Sequence, residues 1–214
     1  MICRAVSARL DAVTIDAYGT LVRLLDPVPS LQDALRLRGI ERDRSDVAGA
    51  FKAEVDYYVE RSHEGRDEAT LALLRRDCAE VFLAAADVPL DPDEFVEAFV
   101  GSLGFEPVEG AVEACRRLAR RGLRLAVVSN WDVGLHDHLD ALDLDGLFAA
   151  VVTSAEAGAP KPNPAVFVLA LERLGVPPER AVHVGDSAAD EEGARAAGMR
   201  FVPAPLADAV GSLA

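Results

Sequence analysis

A Rossmann-like, doubly wound α/β core carrying an inserted four-helix cap is the fold class this sequence predicts. Three observations point to it. Short runs of near-continuous Val, Leu, Ile and Ala recur in the C-terminal half and once near the N-terminus. Helical segments of about ten residues separate them, as expected for parallel strands covered on both faces. Between the first strand and the rest, from about Leu24 to Leu103, every pattern is helical.

The first strand is Ala12–Ile15, and it stops on Asp16, with Gly19 and Thr20 in the turn. The inserted block opens with a short helix near Ser30–Arg38, ended by Gly39. The stretch SDVAGAFKAEVDYYVE offers Ser45 as N-cap and puts Val47, Phe51, Val55, Tyr58 and Val59 on one face. The next helix opens at Asp67 and repeats Leu71, Leu74, Cys78, Val81, Phe82 and Ala85 at helical spacing. The fourth has Asp91 as N-cap, Pro92 at the first position and Glu94 as a capping-box partner. Gly- and Pro-rich stretches at residues 25–30 and 101–110 serve as hinges. The division expected is therefore core at 1–23 and 105–214, cap at 24–104.

The second half alternates. Helix Ala111–Arg121 leads to strand Leu123–Val128, helix Val133–Leu142 to strand Phe148–Thr153, and helix Pro164–Leu174 to strand Ala181–Val184. Helix Ala188–Ala197 precedes the last strand, Arg200–Val202. Crossover handedness places all strand C-termini on one edge, where ligands bind in such sheets. That edge collects Asp16 and Thr20, then Ser129 and Asn130, then Lys161 in GAPKPNP, then Asp186 and Asp190. Unit charges ~4 Å apart repel by about 4 kcal/mol at an effective dielectric near 20. Three converging carboxylates therefore either have raised pKa values or share a cation, and an all-oxygen set suits Mg²⁺ with phosphate oxygens as co-ligands. Lys161 and the two hydroxyls suit a phosphoryl group, and Asp16 suits the nucleophile.

This ordered set resembles the haloacid dehalogenase (HAD) superfamily. DAYGTL is similar to its first motif, VVSN to its second, GAPKPNP to its third and VGDSAADEEGA to its fourth. The helical block occupies the place of the family's cap. TIDAYGTL, SNWD and the GAxxAG helix resemble the REG-2-like, dehalogenase-like hydrolase domain-containing group. The resemblance implies a hydrolase with Asp16 as nucleophile and metal ligand, and Tyr18 giving its backbone carbonyl to the metal. It further implies Thr20, Ser129 and Asn130 on the phosphoryl group, Lys161 neutralising it and Asp16, and Asp186 and Asp190 holding Mg²⁺. Family phosphatases carry a second Asp two residues after the nucleophile, where this chain has Tyr18. A phenol, with its ordinary pKa near 10, is a poor base at neutral pH. Hydrolysis biased toward good leaving groups is the expectation.

Tyr18 also raises the superfamily's 2-haloacid dehalogenases, which open on Asp-x-Tyr-Gly-Thr and use no metal. Gly185-Asp186 and Phe167 depart from their fourth and third motifs. A catalytically weak HAD-fold binding protein is the non-enzymatic alternative. A phospho-accepting receiver module does not fit, because its acceptor Asp lies on a middle strand and it lacks a helical insertion.

The formal net charge is −14, from 22 Lys and Arg against 36 Asp and Glu, which argues against nucleic acid as a partner. Nothing approaches a membrane span, and Arg4, Arg9 and Asp11 leave no room for a signal peptide's apolar region. Cys3, Cys78 and Cys115 read as reduced thiols, so a cytoplasmic monomer or weak homodimer acting on a small phosphorylated molecule is expected. Trp131 is assigned either to the substrate pocket or to packing under the cap. His136 and His138 are expected at the surface and His183 as a satisfied core histidine. His63, Tyr57 and Tyr58 are expected to pack in the cap, and Glu191 and Glu192 to be solvated. Arg36, Arg38, Arg42 and Arg44 are the cap's candidate carboxylate binders by position.

Overall fold

The computed structural model describes residues 9–213; Cys3 and Arg4 lie outside them. The core is a five-stranded parallel sheet of β1 (Ala12–Ile15), β4 (Arg124–Ser129), β5 (Ala150–Thr153), β6 (Ala181–Gly185) and β7 (Arg200–Pro203), in the order β5-β4-β1-β6-β7. All four residues of β1 are buried, which is why AVTI is apolar or β-branched throughout rather than alternating. β1 is flanked by β4 and β6, so the direction of winding reverses beside it and Asp16 sits at the switch point.

Helices α5 (Ala111–Arg120), α6 (Leu135–Ala141), α8 (Ala165–Leu174), α9 (Ala188–Ala196) and α10 (Leu206–Ser212) belong to the same half of the chain. Two apolar clusters flank the sheet. One joins Val13, Ile15, Val127 and Val184 to Cys115 and Leu118; the other joins Val128 and Val152 to Phe167 and Leu171. Between β1 and β4 lie α1 (Val28–Arg36), α2 (Arg44–Arg61), α3 (Glu68–Ala85) and α4 (Pro92–Gly101). They share a third cluster centred on Phe82, Phe95 and Phe99.

Several local expectations change. The Gly/Pro stretches around the helical block are bordered by a short antiparallel pair, β2 (Val22–Leu24) and β3 (Phe105–Pro107), continued by Leu25 N–H donating to Gly104 C=O at 2.8 Å. Asp43, in extended conformation, is the N-cap residue of α2, and Ser45 is already helical. Asp91 accepts the Asp93 N–H at 2.9 Å, rather than forming a box with Glu94. α6 starts at Leu135, because the Asp132 side chain first accepts the Gly134 N–H at 2.7 Å. The short α7 (Ser154–Ala157), held by a Thr153–Glu156 capping box, and α10 carry too little periodic pattern to be read in advance.

Candidate active site

The C-terminal ends of β1, β4 and β6, with the loop between α7 and α8 that carries Lys161, bring together Asp16, Ser129, Lys161, Asp186 and Asp190, and Thr20 lies in the turn after β1. The Lys161 ammonium, itself buried, donates to Asp16 Oδ1 at 2.6 Å, Asp190 Oδ1 at 2.6 Å and the Val128 carbonyl at 3.2 Å. Ser129 Oγ donates to Asp16 Oδ1 at 3.4 Å. Carboxylate oxygens of Asp16, Asp186 and Asp190 all lie within 4.8 Å of one another. Thr20 Oγ1 is buried and has no hydrogen-bond partner among the described residues. A hydroxyl in that state costs about 1–3 kcal/mol unless a ligand answers it, and a phosphoryl oxygen is such a ligand.

Two glycines make the close approach possible. Gly19 has φ +82°, and a Cβ there would sit 2.2 Å from Asp186 Oδ2. A Cβ on Gly185 would fall 2.4 Å from Asp190 Cγ. A side chain at Gly185 has no room beside Asp190, whereas at Gly19 the left-handed backbone disfavours one and the Asp186 carboxylate would have to move aside.

Asp190 is the third residue of α9 and closes a capping box with Ser187. Its Oδ1 accepts from Lys161 and His183 Nε2 (2.9 Å), and its Oδ2 from the Ser187 N–H (3.1 Å) and O–H (2.5 Å). His183 is the satisfied core histidine expected: Nδ1 meets the Thr14 hydroxyl at 2.9 Å. An ionised Asp190 accepts, so Nε2 carries the ring proton and Nδ1 accepts from Thr14. A buried polar chain thus runs Thr14–His183–Asp190–Lys161–Asp16. Four hydrogen bonds fill the acceptor positions of Asp190, whereas Asp16 Oδ2 and the exposed Asp186 carboxylate keep open ones.

The electrostatics follow. Burial raises the Asp16 carboxyl; Lys161 opposes it and Asp190 adds to it, with a result of about 6. Burial acts on Asp190 in the same direction, but the His183 hydrogen bond and the Lys161 charge outweigh it and hold that carboxyl well below its usual range. Burial and the neighbouring Asp190 raise Asp186. Lys161 stays protonated, since its two carboxylates overcome the desolvation that would lower it. One ammonium faces three carboxylates, and an all-oxygen donor set with surplus negative charge fits a hard divalent cation.

Asn130, expected on the substrate, is engaged with Lys161: Oδ1 accepts the Lys161 N–H at 2.6 Å and Nδ2 donates to its carbonyl at 3.1 Å. Tyr18 is about half exposed, and its ring lies 6.5 Å from that of Trp131. Trp131 lines a cavity beneath the helical segment and packs on Phe105 and His138.

Three expectations are corrected there. His138 is half-buried against Phe105 at 4.7 Å, rather than a surface residue; His136 is exposed, as expected. Tyr58 is more than packing, because its hydroxyl donates to Asp132 Oδ2 at 2.8 Å. The cap arginine lining the cavity is Arg75. Arg36 pairs with Asp33, Arg38 donates to the Ala34 and Glu94 carbonyls, Arg42 to the Ala86 carbonyl and Arg44 to Asp26. Glu54 also lines this cavity and carried no sequence signal, sitting in helical text that reads as surface; Asp132, noted in the sequence only as part of SNWD, lines it too.

A haloacid dehalogenase-like hydrolase family model matches residues 10–198. The chain belongs to that family. It is 44% identical over 204 residues to mouse haloacid dehalogenase-like hydrolase domain-containing protein 3, covering 89% of this chain and 80% of the relative. Its fold matches a predicted phosphoglycolate phosphatase of Haemophilus somnus 129pt at TM-score 0.60 and 22% identity, covering 91% and 84% of the two chains. It also matches the L-2-haloacid dehalogenase of Xanthobacter autotrophicus at TM-score 0.64 and 24% identity, covering 90% and 76%. This family member is a hydrolase, with phosphatases and dehalogenases both among its structural neighbours. No helix of the described residues is long and apolar enough to cross a membrane. Cys78 and Cys115 are buried free thiols.

Proposed function

We propose that this HAD-like hydrolase is a Mg²⁺-dependent phosphatase that acts on a small phosphorylated metabolite through an aspartyl-phosphate on Asp16. The observation that carries this reading over dehalogenation is the crowding of Asp186 and Asp190 against Asp16 with a single ammonium among them. A haloacid's carboxylate would enter an already over-negative site, whereas a cation-bound phosphoryl group relieves it. Phe167 supports the same reading, since it is fully buried against the His183 ring, where a metal-free dehalogenase carries a tyrosine.

Asp16 and Asp186, with the Tyr18 carbonyl and the charge of Asp190, would hold the ion. When bound, it supplies positive charge shared between these carboxylates and the phosphoryl oxygens. Lys161 and Ser129 both engage Asp16 Oδ1, which leaves Oδ2 free to attack phosphorus. The P–O ester bond breaks as the Asp16–phosphorus bond forms, and the leaving oxygen takes a proton. Thr20 and Ser129 hydroxyls orient the phosphoryl oxygens. Asn130 acts by fixing the Lys161 backbone. Water then attacks phosphorus, the Asp16–phosphorus bond breaks, and inorganic phosphate leaves. The helical segment closes over the site and excludes bulk water.

The test is phosphate release from p-nitrophenyl phosphate with and without Mg²⁺. Wild type releases phosphate only with the metal, and Asp16→Asn none; equal rates for the two proteins overturn the reading. With Tyr18 in place of a carboxylic acid, rates across aryl and alkyl esters fall steeply as the leaving-group pKa rises. General acid–base catalysis supplies about 10²–10⁴-fold where it operates, so a flat dependence would assign the proton to another side chain.

A further inference from the structure

The cavity beneath the helical segment measures about 300 Å³. Of the chain's twelve aromatic residues, six line it: Tyr18, Phe51, Tyr58, Phe99, Phe105 and Trp131. It adjoins the reacting centre, because Tyr18 and Asn130 belong both to its wall and to the turns that carry Asp16 and Ser129. It therefore lies where the part of a substrate beyond the phosphoryl group would sit.

Its charged groups are answered unequally. Asp132 accepts from the Tyr58 hydroxyl and the Gly134 N–H and is further offset by the Arg75 charge. Burial holds His138 toward its neutral form. Glu54 is 4% exposed, and the side chain that hydrogen-bonds to it is the Cys78 thiol, a weak donor. Desolvation pushes its carboxyl up to about 7, with no cation among the groups acting on it. An apolar cavity thus holds one carboxyl without a strong partner, among ring faces that attract positive charge.

We propose that the cavity binds the leaving-group half of the substrate and that this half carries a protonated amine, read by Glu54 and the surrounding aromatic faces. The substrate class is then a phosphate ester of an apolar or aromatic amino alcohol or aminophenol. This rests on the phosphatase reading for turnover, but the amine-binding part can be measured without it.

The probes are tyramine O-phosphate and its neutral isostere para-propylphenyl phosphate, whose phenols leave with similar ease. Wild type is expected to favour the amine by about tenfold or more in kcat/KM, the scale of a desolvated cation among rings and a carboxylate. That preference falls to near unity in Glu54→Gln and partly survives in Glu54→Asp. In parallel, calorimetry compares binding of tyramine and para-propylphenol to the same proteins, with their folding checked by thermal unfolding. Wild-type discrimination lost in Glu54→Gln supports the inference. Equal binding of the two compounds by wild type, or a preference that Glu54→Gln leaves intact, overturns it. If p-nitrophenyl phosphate is hydrolysed and neither probe ester is, the proposed substrate class is overturned; if none of the three releases phosphate, the phosphatase reading fails and the calorimetric comparison alone decides the amine site.

Discussion

Lys161 is the residue on which the site's electrostatics turn. It stands buried between two carboxylates at 2.6 Å, and each carboxylate is answered differently without it. Asp190 keeps His183 and Ser187, but Asp16 would keep only a long contact from Ser129. Removing one member of a buried ion pair costs about 3–5 kcal/mol, so Lys161→Met should destabilise by that order in urea unfolding. Asp16→Asn removes the carboxylate that burial and Asp190 already disfavour, so its unfolding free energy should hold or rise while activity vanishes. Equal losses in the two variants would contradict this balance. Glu54 gives a second residue-level prediction. Burial pushes its folded carboxyl up to about 7, from an ordinary glutamate value of 4.5. Below the lower value both states are protonated and folding incurs no penalty. Between the two, the unfolded chain ionises first and stability falls, and above the upper value the loss is complete. At 1.36 kcal/mol per unit this amounts to roughly 3 kcal/mol. Glu54→Gln should therefore stabilise the protein at pH 8 by up to that amount and change little near pH 4. The motif residues Asp16, Lys161 and Asp190 were legible because each ends a strand or opens a helix in a recognisable order. Glu54 and Arg75 were not, because a polar residue that turns inward on an amphipathic helix has the same text as one that faces water.

Among the elements, the sheet and its helices were legible because fully buried parallel strands are spelled as unbroken apolar runs. The pair β2–β3 was not. Three-residue strands such as VRL and FEP have no period to detect, and they form because the two ends of the helical segment are brought side by side. That pairing ties both crossings into the helical block to each other, so the block should move against the core as a unit pivoting on β2–β3. Helix α9 shows how an element's start becomes part of a site. The capping box that begins it also engages Asp190 Oδ2, so one serine hydroxyl serves both helix stability and carboxylate position. Ser187→Ala should cost about 1 kcal/mol of stability, the usual price of a lost N-cap. It should also lower the Mg²⁺ concentration that half-saturates phosphate release, because Asp190 Oδ2, freed from the serine hydroxyl, can turn toward the cation. A variant with the stability loss alone would separate the cap from the site.

At the scale of the whole molecule, the net charge of −14 opposes the approach of a phosphate dianion, although the site itself contains an ammonium. Lys161 is already shared by two carboxylates, so it projects little positive field beyond the pocket. Distance then decides which charges an incoming substrate feels. At about 0.01 M salt the Debye length is roughly 30 Å, comparable to the whole protein, and the substrate meets the full negative field; at about 0.15 M it is roughly 8 Å, and only the site remains visible. Steering of this kind changes association and not the chemical step. With Mg²⁺ held constant, kcat/KM for p-nitrophenyl phosphate should rise severalfold over that salt range while kcat stays level. A substrate bearing an amine carries less net negative charge, so its salt dependence should be shallower. A falling kcat/KM would mean that the local field of the metal-loaded site reaches further than the protein's overall charge, and stopped-flow measurements across the range would locate the crossover.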